Sequence, residues 1–114
     1  IQKRTLLGAL FENMVIVDLI KNFKAKNLHP SLTFFRDSNK NEIDLIIEIE
    51  GKTIPVEMKV SETMNSSFFD TLTWFQQKTQ NDQDAVIVYG GNQNQTRSQG
   101  KVISWKDLET VYTK

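Results

Sequence analysis

The chain has 114 residues, 39% of them apolar and 25% charged, which leaves room for one globular domain with a core of its own. It has no cysteine and no apolar run long enough to cross a bilayer, which excludes disulfides, thiolate metal sites and membrane spans and fits a cytoplasmic location. Its 14 basic and 14 acidic residues cancel, which argues against a domain that grips nucleic acid by charge alone.

The first predicted element is a helix over residues 5–25. Nearly every position from Leu6 to Ile20 is apolar, a pattern typical of a helix buried on all sides. Glu12 lies on an apolar stripe of this helix, where a carboxylate is unfavourable unless it is paired or bound. Either Glu12 is paired with a basic side chain or a backbone amide, or it belongs to a functional site as a metal or water contact. Because the chain starts at Ile1 without a methionine, we expect residues 1–114 to be a single domain of a longer protein, with the remainder upstream.

Three strands are predicted to follow. The first covers residues 32–36, and turn-forming residues at 37–41 lead to a hairpin with strands at 43–49 and 54–60. In the first hairpin strand the odd-numbered residues, starting with Ile43, form one apolar face. The strands meet at Glu50-Gly51, where glycine can take the positive φ of a tight turn.

A hairpin centred on this turn pairs residues whose numbers sum to 101, so Asp44 lies opposite Glu57. Two carboxylates facing each other at roughly 4.5–5.5 Å between Cβ atoms repel each other unless a cation or a shared proton compensates. Divalent cations such as Mg²⁺ take oxygen ligands of this kind. The residues therefore indicate a metal site with Lys59 beside it. The alternative is a structural ion-pair cluster in which Lys59 neutralises the two acids.

The second half of the chain predicts a return to the same sheet. A helix begins at Ser67 in a capping-box-like sequence, and the apolar run 85–89 is typical of a buried strand parallel to the hairpin. Residues 92–99 are polar and predict an exposed loop, and a strand at 102–105 precedes a short helix from Lys106. The predicted class is α/β, a mixed central sheet of an antiparallel meander plus a parallel strand, flanked by helices in the order α-β-β-β-α-β-β-α.

Together these segments resemble a known class of nuclease. A helical Glu, a strand Asp, a hairpin and a Glu-x-Lys element occur here in the order found in the PD-(D/E)xK superfamily, whose core is the restriction-endonuclease-like fold. More closely, residues 8–13, 35–36, 41–44 and 55–61 look like the uncharacterised C-terminal domain of bacterial and archaeal AAA+-type ATPases. The resemblance covers roughly residues 6–110. It implies the restriction-endonuclease-like core and an ATPase domain upstream in the same protein.

The resemblance also implies roles for individual residues. Asp44 and Glu57 would hold Mg²⁺ or Mn²⁺, and the backbone carbonyl of Met58 and waters would complete the metal shell. Glu12 would be a further acidic residue at the metal. Lys59 would orient or help activate the attacking water. The implied reaction is metal-assisted hydrolysis of a phosphodiester, with DNA as the expected substrate.

Two further residues could contact a phosphate, namely Arg36 and Ser61. The alternative function is a catalytically inactive module of the same fold, used for docking to partners or for regulating the attached ATPase. Intact Asp44, Glu57 and Lys59 favour the nuclease, whereas the neutral charge favours the inactive module.

Overall fold

A computed structural model describes residues 5–83 and 85–113. The elements in chain order are α1 (Leu6–Ala25), β1 (Ser31–Arg36), β2 (Glu42–Ile49), β3 (Lys52–Lys59), a 3₁₀ helix (Ser66–Phe69), α2 (Asp70–Thr79), β4 (Ala85–Tyr89), β5 (Gln95–Arg97), β6 (Gly100–Ser104) and a second 3₁₀ helix (Leu108–Val111). The strands form a six-stranded sheet in the order β1-β2-β3-β4-β6-β5. Pairing is antiparallel for β1–β2, β2–β3 and β5–β6, and parallel for β3–β4 and β4–β6. The predicted α/β class and mixed sheet are therefore confirmed.

The β2–β3 hairpin has the register that the sequence predicts. Leu45 pairs with Val56, and the two turn residues, Glu50 and Gly51, have φ values of 50° and 79°. Positive φ at both central residues is the geometry of the two-residue turns that match the twist of a hairpin. Pro55 lies within β3, but pairing with β4 begins only at the next residue. The N–H that proline lacks is therefore not needed on that side.

Helices cover both faces of the sheet, and each covers a separate apolar cluster. The side of α1 that faces the sheet presents residues spaced four apart, as one stripe of a helix requires. They are Phe11, Val15, Leu19 and Phe23, all at most 7% exposed. They pack with Leu45, Val56, Met58 and residues of the second 3₁₀ helix, whereas α2 packs with Ile43, Ile46 and Ile87 on the other face.

The prediction that α1 is buried on all sides is wrong. The side of the helix that faces away from the sheet is apolar as well, and Leu6 is 77% exposed and Leu10 57% exposed. A helix against one sheet face can bury only the stripe that touches the sheet, whatever residues lie on its outer side.

The single apolar face predicted for the first hairpin strand is also wrong at one position. Ile43 packs with the α2 cluster, whereas Leu45 packs with the α1 cluster. The cause is a shift of register between β1 and β2, where Thr33 pairs with Ile46 but Phe35 pairs with Ile43. One extra residue of β2 is accommodated there, and such a bulge moves the residues beyond it to the other face.

Three smaller predictions also need correction. Ser67 does not begin α2, because a 3₁₀ helix precedes α2 and Asn65 caps that 3₁₀ helix, its side chain accepting the Ser67 N–H at 2.9 Å. Part of the predicted loop forms the short edge strand β5, and the closing helix is a single 3₁₀ turn that starts at Leu108.

Within the described part of the chain, no helix is long and apolar enough to cross a membrane.

Candidate active site

Asp44 and Glu57 lie just beyond the last backbone pair of the β2–β3 ladder, where hydrogen bonds from backbone N–H groups to side chains connect the two strands. The last paired residues of the ladder are Leu45 and Val56. Beyond them, the Asp44 N–H donates to Glu57 Oε1 at 2.9 Å, and the Met58 N–H donates to Asp44 Oδ2 at 2.9 Å. Each carboxylate thus accepts a backbone N–H of the opposite strand. The bulge in β2 lies at this point, as bulges often do where a side chain is re-aimed at a site.

Among the described residues, Glu57 is the only charged residue that is buried, with 7% of its surface exposed. Burial, and next to it the charge of Asp44, raise the pKa of Glu57 from 4.5 to about 8. The hydrogen bond from the Asp44 N–H and the charge of Lys59 act in the opposite direction. A buried carboxyl of this kind holds a proton near neutral pH unless a cation takes its place.

Lys59 ends β3 beside Glu57. Its Nζ lies 3.9 Å from Glu57 Oε2 and 5.3 Å from the centre of the Phe68 ring, and the side chain is 34% exposed. A lysine with these two contacts is held at the carboxylate pair but still reaches solvent, where a polar ligand could meet it.

Gly90 fixes the backbone around Lys59, a role that sequence reasoning missed. Its N–H donates to the carbonyl oxygens of Lys59 at 3.1 Å and of Ser61 at 2.9 Å. A Cβ on Gly90 would lie 2.3 Å from the Val60 carbonyl oxygen, so only glycine lets the two chain segments approach this closely. The signal in the sequence was the Gly-Gly pair directly after the buried run that became β4.

Glu12 is half-buried on α1, the helix that packs on the face of Val56 and Met58. Its charge contributes to the raised pKa of Glu57, so the two carboxylates interact. Among residues 5–83 and 85–113, however, no three His, Cys, Asp or Glu side chains are grouped closely enough to hold a metal ion. A role for Glu12 at a metal stays a prediction.

Arg36 and Ser61 make local contacts. Arg36 Nε donates to Glu42 Oε1 at 2.7 Å, and its guanidinium lies 5.6 Å from the centre of the exposed Phe34 ring. The Ser61 hydroxyl donates to the Thr63 carbonyl oxygen at 2.8 Å. The structure therefore brings Asp44, Glu57 and Lys59 into contact, whereas the phosphate-binding roles of Arg36 and Ser61 stay predictions.

The chemistry of this group suits a hard divalent cation. Two carboxylates are the protein ligand set with which Mg²⁺ sites are often built, the remaining positions being filled by waters and substrate phosphates. Asp44 and Glu57 also have the backbone N–H bonds that orient metal-ligating carboxylates.

Comparisons with known proteins give one match. Residues 7–108 match the model of a protein family described as "Domain of unknown function (DUF4143)". No curated protein and no solved structure matches the chain.

Proposed function

This chain belongs to the DUF4143 family, and we propose that it is a domain of restriction-endonuclease-like fold that hydrolyses phosphodiester bonds with Mg²⁺ or Mn²⁺. The observation that carries the proposal is the reciprocal pairing of Asp44 and Glu57 at the end of the β2–β3 ladder, with Lys59 beside them. A buried carboxylate next to a half-buried one is unfavourable for stability by itself. Such a pair can serve catalysis when it binds a cation, which in turn binds a substrate phosphate.

In the proposed reaction Asp44 and Glu57 hold the cation, together with the carbonyl oxygen of Met58. The cation, when bound, lowers the pKa of a bound water and stabilises the charge that develops on the phosphate. The protein supplies the orientation. Because each carboxylate accepts a backbone N–H from the opposite strand, neither can rotate without breaking a hydrogen bond.

Lys59 supplies a positive charge and three N–H donors at this point. Its Nζ is close enough to Glu57 for an electrostatic interaction but is too far from Oε2 for a hydrogen bond. It can therefore donate to an attacking water or to a non-bridging phosphate oxygen. Glu12 is proposed as a further acidic residue acting through water, and Arg36 and Ser61 as outer phosphate contacts.

The proposed substrate is DNA, and the proposed partner is an upstream ATPase domain of the same protein. A chain with 14 basic and 14 acidic residues lacks the excess of positive charge that holds a duplex by counterion release. Such a domain works best when another part of the protein delivers the nucleic acid to it.

The first test is a calorimetric titration of Mn²⁺ into the wild type, Asp44→Asn and Glu57→Gln, with the exposed Glu48→Gln of the same hairpin as the matched control. We expect binding in the wild type and the control, and none in the two site variants. Binding that survives Asp44→Asn would place the metal elsewhere, and a wild type that binds nothing at millimolar Mn²⁺ would refute the metal-dependent mechanism. DNA cleavage is then assayed with Lys59→Met, which should bind Mn²⁺ but lose activity.

A second candidate function is a non-catalytic module with the same fold, and the exposed apolar side of α1 favours it because such surfaces mark interaction sites. Under that function Asp44→Asn keeps an oxygen that can accept the Met58 N–H, and it removes the charge that repels Glu57 above pH 8, where Glu57 is ionised. The variant would then melt at a higher temperature than the wild type, and Mn²⁺ would change neither melting temperature.

A further inference from the structure

The outer side of α1 is an apolar surface made by one helix. We call it the outer stripe, and it comprises Leu6, Leu7, Leu10, Met14, Val17 and Ile20, which are 36–77% exposed. At 100° per residue these six side chains lie within roughly 140° of the helix circumference. The exposed Asn13 also falls inside this arc, so the stripe is a face that is apolar apart from one central position, and it is distinct from the residues of α1 that pack on the sheet.

The outer stripe is as large as the larger apolar patches that monomeric proteins leave in water. The exposed fractions correspond to roughly 500 Å² of apolar surface, near the upper end for the largest patch of a monomeric protein. Two such surfaces in contact would bury about 1,000 Å² from these side chains alone, which reaches the size at which specific protein interfaces begin.

The order of residues along the stripe makes it complementary to itself. If two α1 helices pair in opposite directions about a two-fold axis between Asn13 and Met14, residue numbers across the interface sum to 27. Leu7 then faces Ile20 of the other copy, and Leu10 faces Val17 of the other copy. Apolar residues thus meet apolar residues on both sides of the axis over about 20 Å of helix, with Met14 against Asn13 at the axis itself, and both copies use the same patch, as in an isologous interface.

We propose that a second copy of this chain covers the outer stripe, and that the two α1 helices pair antiparallel with Leu10 against Val17. Opposed helix dipoles favour this direction over the parallel one. A parallel pair in register would also place Lys21 beside Lys21 of the other copy, whereas the antiparallel pair places Lys21 beside Leu6, where its aliphatic stem can cover the leucine.

The test is sedimentation equilibrium of the 114-residue chain over about 1–500 μM, which spans the micromolar affinity expected for an interface of this size. The variants are Leu10→Glu and Val17→Lys, each of which places a charge in the centre of the proposed interface. Lys78→Glu, at an exposed position of α2, is the control for a charge change elsewhere. We expect dimers for the wild type and the control, and at least tenfold weaker association for each interface variant.

Mixing the two interface variants tests the register. In the antiparallel pair Glu at position 10 of one copy meets Lys at position 17 of the other, while the second contact stays Leu10 against Val17. The mixture should therefore associate at least tenfold more tightly than either variant alone. A parallel pair aligns position 10 with position 10, so mixing relieves the like-charge contact of each variant but brings the two new charges no closer. The control is therefore a mixture of Leu10→Glu with Val17→Glu, which should associate at least tenfold more weakly than the first mixture in the antiparallel pair and about equally in a parallel pair.

Two results would overturn the proposal. One is a wild type that stays monomeric at 500 μM. The other is a mixture of Leu10→Glu with Val17→Lys that is no tighter than the mixture of Leu10→Glu with Val17→Glu, while all of the variants melt like the wild type. Asp44, Glu57 and Lys59 lie outside α1, so Mn²⁺ binding by the monomeric variants should be unchanged. The dimer and the metal site can therefore fail independently.

Discussion

Replacing Glu57 with glutamine should remove most of the dependence of stability on pH. In the folded wild type the pKa of Glu57 is about 8, compared with 4.5 for the ordinary group. Between these values the folded state holds a proton that the unfolded chain has lost, so the wild-type free energy of unfolding falls as pH rises, by at most about 1.4 kcal/mol per pH unit. Glutamine has the same shape and keeps an oxygen that can accept the Asp44 N–H, but it does not titrate.

The linkage between proton binding and folding sets the size of the change in the free energy of unfolding. From pH 5.5 to 8.5 the raised pKa of Glu57 costs the wild type about 3 kcal/mol, because the unfolded carboxyl is ionised over the whole range and the folded one only near its upper end. For a chain of this length that corresponds to a decrease of roughly 10 °C in melting temperature. The advantage of Glu57→Gln over the wild type should therefore grow by about 3 kcal/mol across this range.

Urea unfolding at pH 5.5, 7.0 and 8.5 in the presence of EDTA measures the difference, since the chelator prevents a cation from replacing the proton. The exposed Glu48→Gln is the control and should follow the wild type at every pH. Parallel pH profiles for the wild type and Glu57→Gln would show that the folded carboxyl titrates normally. The account of Glu57 as a buried acid that awaits a proton or a metal would then be wrong.

Three other substitutions test the backbone around the site, in the hairpin turn and at a helix end. Gly90→Ala should lower the free energy of unfolding by about 1–3 kcal/mol and displace Lys59, because the new Cβ would lie 2.3 Å from a carbonyl oxygen. In Gly51→Ala the new Cβ has no atom within 4 Å, and only the strain of a positive φ remains. Urea unfolding should therefore show a smaller loss of about 1 kcal/mol for Gly51→Ala. Gln80→Gly should stabilise the chain by about 0.5–1 kcal/mol, measured in the same way, because Gln80 ends α2 with φ 54° and glycine adopts this conformation without strain; an unchanged or lower stability would contradict that reasoning.

The hairpin and its register could be predicted from the sequence because they depend on local rules. A glycine-containing dipeptide between two alternating strands fixes both the turn and the pairing, and the pairing of Leu45 with Val56 follows by counting. The position of Asp44 near Glu57 came from the same count. The bulge that moves Ile43 to the other face depends on β1, a separate strand, and no local pattern indicated it.

The sequence by itself determined the main strands and helices, the α/β class, and the closeness of Asp44, Glu57 and Lys59, because periodicity and turn chemistry act over a few residues. It did not indicate the edge strand β5 or the two 3₁₀ turns. Only the tertiary structure decided which side of α1 is covered and that Gly90 supports the backbone of Lys59. It also decided that Glu57 is buried deeply enough for its pKa to reach about 8. These features depend on surfaces that distant parts of the chain bring together, and burial is a property of the assembled sheet rather than of any one strand.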